Sequence, residues 1–269
     1  MRRIAIFMLT TGLTCAVADA AIQLDTVVLA LPFNEGGGHD ALDVSGKENH
    51  GKLRAQRGAG EFEDWKPGQF GTAIRFMETN NVEVENSPTL DISGPEFTLA
   101  LFFALTEPPA WSTLVEHNNA RGAETTGWNL AYAGERFVFH VNSAAEKTAW
   151  TRSSLLEDPE LDRFYHVALV KSGVQYTYYL DGEEYGVIET DEPVPPADAI
   201  GDTMKFGSFQ KPFFAGMIDE VVLSTQAWAI GDVRTHRDAG IQGVLDVRPR
   251  GKLTTSWADV KSKPTPSAR

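Results

Sequence analysis

Two adjacent carboxylates, Asp219 and Glu220, stand in the middle of an apolar run from Phe213 to Ser224, FFAGMIDEVVLS. Side chains alternate between the faces of a strand. Strict alternation puts Met217, Asp219, Val221 and Leu223 on one face and Ile218, Glu220 and Val222 on the other. Apolar residues flank the acids on both, so the strand reads as buried on both sides. A buried carboxylate is costly unless it is paired, hydrogen-bonded or bound to a metal. Three chemistries meet that requirement. The acids are structural and satisfied by Arg or backbone N–H groups, or Asp219 holds a calcium ion, or the pair belongs to a glycosidase-type carboxylate site. No third acid lies nearby at a spacing that serves the last.

A second group of oxygen donors lies in the loop NEGGGHDALDVSGKENHGKL, which begins at Asn34. Asn34, Glu35, Asp40, Asp43, Ser45 and Asn49 carry the ligand types calcium takes. They are also the types that cap turns in a loop whose glycines at 36, 37, 38, 46 and 51 forbid a helix. The EF-hand spacing is absent. The six histidines, at 39, 50, 117, 140, 166 and 236, show no zinc spacing, and His166 reads as a core residue among apolar neighbours. No G-x-S-x-G elbow is present. The glucanase pattern E-x-D-x-x-E is absent as well: Glu189-Thr190-Asp191 begins it, but Val194 occupies the last acidic position. What remains is recognition. Trp150, in the polar segment EKTAWTR, is the expected exposed platform for a sugar ring or protein partner, with Trp128 and Tyr132 beside it. A Trp in a sandwich is more often core, and that alternative stands for all three.

These groups need a frame. Short apolar or alternating runs recur along the chain: 25–33, 68–76, 81–85, 97–105, 111–117, 128–133, 136–141, 147–152, 164–171, 174–180, 184–189, 204–207 and 213–224. Gly134-Glu135, Ser172-Gly173 and Asp181-Gly182 are tight turns between neighbours. Ala227 to Ala239 is the one expected helix, with Gly240 just past its end. Many short strands and almost no helix predict an all-β, two-sheet antiparallel sandwich.

The chain has 269 residues, one cysteine and a formal net charge of −13. Met1 to Ala20 reads as a signal peptide, with Arg2 and Arg3 before an apolar stretch and Ala18-Asp19-Ala20 as the cleavage site. Cys15 falls inside it, and Gly12 and Thr14 do not form a lipobox. The mature chain would be secreted or periplasmic, without disulfides and without a membrane span. Its acidity argues against nucleic acid. From about Leu245 the sequence turns polar and basic, so 21–243 reads as one domain and 244–269 as a tail or linker.

Several fragments, taken in order, resemble the laminin-G-like domains of the concanavalin A-like lectin/glucanase superfamily found in bacterial secreted proteins. They are Asp43-Val44-Ser45-Gly46, Asn49-His50-Gly51, the G-x-x-G-x-A-x-x-F run from Gly68 to Phe76, Phe97-Thr98-Leu99, Phe164-Tyr165-His166-Val167-Ala168, Tyr179-Leu180-Asp181-Gly182, and Gly216-Met217-Ile218-Asp219-Glu220-Val221 followed by a short helix. Phe164 stands where the family usually has Trp. The resemblance implies a jelly roll with a calcium ion between the early acidic loop and the late strand, held by Asp43, Asn49 and Asp219. The expectation is a binding module for carbohydrate or a cell-surface glycoprotein. A glycoside hydrolase of the same fold and a protein adhesion module are the alternatives.

Overall fold

The structure, a computed structural model, describes residues 21–55, 64–77, 79–108, 112–118, 126–142, 148–191, 202–207 and 214–246. The expected signal peptide, Trp111 and the tail beyond 246 lie outside the described residues.

Among the described residues sixteen strands run in chain order: β1 Val27–Leu31, β2 Asp40–Ala41, β3 Gly51–Ala55, β4 Trp65–Pro67, β5 Thr72–Phe76, β6 Asn80–Val84, β7 Glu96–Leu105, β8 Ser112–Asn118, β9 Gly127–Tyr132, β10 Phe137–Asn142, β11 Thr148–Arg152, β12 Tyr165–Ser172, β13 Gln175–Leu180, β14 Glu183–Glu189, β15 Met204–Phe206 and β16 Gly216–Ser224. One α-helix among the described residues, α1 Ile230–Leu245, follows. The strand pairings among the described residues are antiparallel. One sheet has the order β14-β13-β12-β7-β16-β5-β4, with β1 also on β16; the other has the order β11-β10-β9-β8-β15-β6-β3-β2. This is the all-β, two-sheet antiparallel sandwich, jelly-roll-like, with a single C-terminal helix.

The core lies between the sheets. Leu99, Leu101, Phe103 and Leu105 of β7 meet Trp128, Leu130 and Tyr132 of β9 and Phe137, Phe139 and Val141 of β10 in one buried cluster. The period of two along each strand produces this layer. A second cluster lies under α1, on the other face of the first sheet. Ala100, Ala168, Val170 and Val222 there meet Trp228, Val233, Ile241 and Val244. Small residues on the strands leave room for the helix. Arg237 Nη1 donates to the Asp181 carbonyl, and Arg234 donates to the Gly182 carbonyl and to Glu183, which ties α1 to the β13–β14 turn.

Three local expectations change. The run 68–76 is not one strand: its G-x-x-G segment is a turn between β4 and β5, closed by Gly68 N–H donating to the Gly71 carbonyl. The long early loop contains β2 and β3, because Leu53 alternates inward beside exposed Lys52 and finds a partner in β6. The helix does not stop at Gly240. That residue has φ 59° and ψ −158°, a kink after which the helix resumes.

Candidate functional site

Strand β16 carries the two acids on which the sequence reading turns. Both are buried, Asp219 at 0% exposure and Glu220 at 3%. Their neighbours do not alternate strictly. Asp219 pairs with Phe102 and Val222 with Ala100, so β16 spends one more residue than β7 between these points. Glu220 absorbs the extra residue with φ 51°. This is a β-bulge. It puts Val221 and Leu223 in the inter-sheet core with Ile218, and Val222 under α1. The expected grouping of Met217, Asp219, Val221 and Leu223 on one face is corrected accordingly.

The two carboxylates have different tasks. Oδ2 of Asp219 accepts the Phe70 N–H at 3.0 Å. That N–H belongs to the β4–β5 turn, where a Cβ on Gly68 would lie 2.5 Å from the same oxygen. The turn must therefore come close, and glycine lets it. Oδ1 of Asp219 is buried without a hydrogen-bond partner. Glu220 reaches the other way. Its Oε2 accepts the N–H of Ile241, just past the kink in α1, and Asn34 Nδ2 lies 3.5 Å from Oε1. Burial drives the Asp219 carboxyl up to about 8, the neighbouring Glu220 charge adding to it against the Phe70 hydrogen bond. Burial likewise raises Glu220 to about 7, against its bonds to Ile241 and Asn34.

Two histidines complete this buried region. His166 of β12 and His236 of α1 lie with Nε2 and Nδ1 3.0 Å apart. Both pack on Phe102. Burial lowers His166 well below its ordinary value and His236 to about 4, so the pair is neutral at pH 7. His166 is the core residue the sequence suggested. No local sequence pattern links His236 to it, because the two lie 70 residues apart.

Asp43 is 6% exposed, and its oxygens are engaged. Oδ1 accepts the N–H groups of Ala30 and Ser45, both at 2.9 Å. Oδ2 accepts Ser45 Oγ–H at 2.8 Å and Asn49 N–H at 2.9 Å. Asn49 Nδ2 donates to the Val28 carbonyl and to Thr89 Oγ1. The loop is thus stapled to β1 by a carboxylate with four donors. Calcium needs six to eight oxygens with free lone pairs directed at it. The oxygens of Asp43 are engaged by these four donors, and the hydrogen-bond partner of Asp219 is not shared with Asp43 or Asn49. Among the described residues no group of three or more His, Cys, Asp and Glu is arranged to hold a metal ion. The unpartnered Oδ1 of Asp219 is the feature that fits a cation.

The expected aromatic platform divides. Trp128 is 2% exposed and Tyr132 0%. Trp128 packs on His117 and Phe139, and Tyr132 on Phe137 with its hydroxyl donating to the Leu156 carbonyl. Both belong to the core, because their strand phase matches that of Leu130 between them. Neither offers a face to a ligand. Trp150 occupies β11 opposite His140 of β10; its side chain lies outside the described residues.

None of the curated proteins matches this chain in sequence. Among solved structures, the binding domain of Paraclostridial Mosquitocidal Protein 1 superposes with a TM-score of 0.61 at 16% identity, over 81% of this chain and 53% of that one. The receptor-binding domain of botulinum neurotoxin mosaic serotype C/D gives 0.60 at 13%, over 80% and 51%. This chain spans about half the length of those toxin domains. Domain 4 of AbnA, a GH43 extracellular arabinanase from Geobacillus stearothermophilus in complex with arabinotriose, gives 0.59 at 15%, over 78% of this chain and 97% of that one. At these identities the likeness is one of fold. The family model described as concanavalin A-like lectin/glucanases superfamily matches residues 76–233, more than half of the sequence, and the chain belongs to that laminin-G-like family.

Proposed function

We propose that the chain is an exported, non-catalytic module that binds carbohydrate. The observation that carries this reading is the match to domain 4 of the arabinanase. It extends over nearly the whole of that sugar-complexed domain, so the unit shared is a complete module. The toxin structures of similar fold are binding domains, which supports recognition over catalysis. The missing E-x-D-x-x-E pattern points the same way. Among the described residues no helix is long and apolar enough to cross a membrane. Export rests on the signal-like sequence pattern of residues 1–20.

The calcium part of the proposal narrows to Asp219. Its Oδ1 is a buried acceptor without a partner, and a second carboxylate follows it directly. Such a pair is neutralised either by protons or by a cation. Asp43 and Asn49 then shape the neighbouring loop without acting as ligands.

Affinity electrophoresis of the mature chain through gels containing neutral polysaccharides tests the reading. Retardation by at least one polysaccharide is expected. Unchanged mobility in every gel would move the assignment to a protein-interaction module.

A further inference from the structure

Among the described residues the inter-sheet core contains no residue of α1. The helix packs on the outer face of the first sheet, through Trp228 just before it and Val233, Ile241 and Val244 within it. This layer can open while the sandwich stays closed. Its ion pair to the β13–β14 turn is exposed: the Arg234 and Glu183 side chains are 41% and 70% exposed, and such pairs contribute little.

Inside the layer, His166 of the sheet is bonded to His236 of the helix, and both are buried. The Glu220 carbonyl favours a proton on His236. Nδ1 of that ring faces His166, so the proton sits on Nε2, and the bond between the rings runs from His166 Nε2–H to His236 Nδ1. Nδ1 of His166 is then bare, and it is buried without a hydrogen-bond partner. A proton added to the pair must go there. It creates a buried cation whose new N–H has no acceptor, which is costly. A second proton makes both bridging nitrogens donors and breaks the bond. The surrounding charges are engaged elsewhere or have the wrong sign. On β16, Asp219 is separated from His166 by Phe102 of β7, and the Glu220 carboxylate is turned to Ile241 and Asn34. In the β13–β14 turn, Asp181 accepts the His166 backbone N–H and pairs with Arg163, while Glu183 is held by Arg234. On α1, Arg237 opposes a proton on His166, and Asp232, one turn before His236, is part-exposed. Phe102 and Trp228, whose rings lie against the pair, carry no charge.

We propose that His166 and His236 form an acid-operated latch: protonation of the pair releases α1 from the first sheet while the two-sheet sandwich stays folded. Release bares Ala100, Ala168, Val170 and Val222 on the sheet and the apolar side of the helix, so acid turns a closed surface into an apolar one. Docked, both rings stay neutral because burial holds them below their ordinary values. Released, each takes a proton below pH ~6.5. Glu220 works against them: burial raises its carboxyl to about 7 in the docked state, and it gives up that proton on release. Two protons gained and one lost leave one net proton, which weakens docking about tenfold per pH unit between roughly 6.5 and 4.5.

The test is hydrogen exchange of the mature chain in chelator between pH 7 and 4.5, corrected for the intrinsic rate at each pH. Expected is a fall in the protection of α1 of about a hundredfold between pH 6.5 and 4.5, with β7 and β12 still protected. Ordinary carboxylates are ionised across that range, so histidines carry the slope, and the wild-type profile decides the matter even where a variant fails to fold. The double variant His166→Gln, His236→Asn keeps a donor facing an acceptor without a titrating group, and it should abolish the fall. Protection of α1 that holds or rises toward acid would overturn the latch. So would loss of α1 together with β7 and β12, or a fall that persists in the folded double variant.

Discussion

Oε2 of Glu220 occupies the space that a Cβ on residue 240 would need. The same oxygen takes the N–H of Ile241, so the bulge in β16 and the kink in α1 are two halves of one joint. The strand leaves its ladder at Glu220 with φ 51°, and the helix leaves its spiral at Gly240 with φ 59°. A carboxylate between them joins the sheet to its covering helix.

Glu220→Ala should therefore cost about 2 kcal/mol, by exposing a buried N–H with no acceptor. Gly240→Ala should cost about 2 kcal/mol or more, since a Cβ is strained at that φ and overlaps the carboxylate. Urea unfolding measures both. Because the two changes break one joint, the double variant should lose less than the sum of the single losses.

The buried acids set a pH dependence. Asp219 at about 8 and Glu220 at about 7 lie above their unfolded values of ~4. The folded chain keeps protons that the unfolded chain has released, so their contribution is full at acid pH and is lost as pH rises through this window. His236, at about 4, acts oppositely: its contribution is lost as pH falls from ~6.5 through its folded value. Above pH ~6.5 the acids dominate among these groups, and stability should fall by about 2 kcal/mol toward pH 8. Denaturant midpoints in chelator at the two pH values measure the slope, and Asp219→Asn should flatten it.

Calcium should act on the same carboxylate. A cation favours ionised Asp219, so millimolar calcium should raise the melting temperature more at pH 8 than at pH 6. Asp219→Asn should abolish the difference. Asp43→Asn should instead destabilise by about 2–3 kcal/mol through its lost hydrogen bonds, equally with calcium or chelator. A melt of the wild-type protein indifferent to calcium at pH 8 removes the ion from the account.

Trp128→Ala should behave as a core truncation, costing about 3–5 kcal/mol. Any loss of ligand binding in that variant should track the unfolded fraction seen by circular dichroism.

The legible and illegible parts of this fold separate on physical grounds. Strands such as Glu96–Leu105 and Tyr165–Ser172 lie within a residue of the expected runs 97–105 and 164–171, because a continuous apolar run between turn residues has few other homes. The bulge at Glu220 was hidden: alternation alone gives no sign of an extra residue, and the demand for one comes from β7 and α1. The turn at Gly68 was hidden inside an alternating pattern, although its G-x-x-G motif carried the signal. Aromatic type alone said nothing of the face that Trp128 and Tyr132 take. Their phase with Leu130 did, and it put them inside.

The central claim is binding without cleavage. It is tested most directly by incubating the mature chain with soluble arabinan and other neutral polysaccharides, measuring bound protein and released reducing ends in the same samples. Retention on at least one polysaccharide is expected, with reducing ends at the level of a protein-free control. Release of reducing sugar in proportion to protein, or no retention on any polysaccharide, would contradict it.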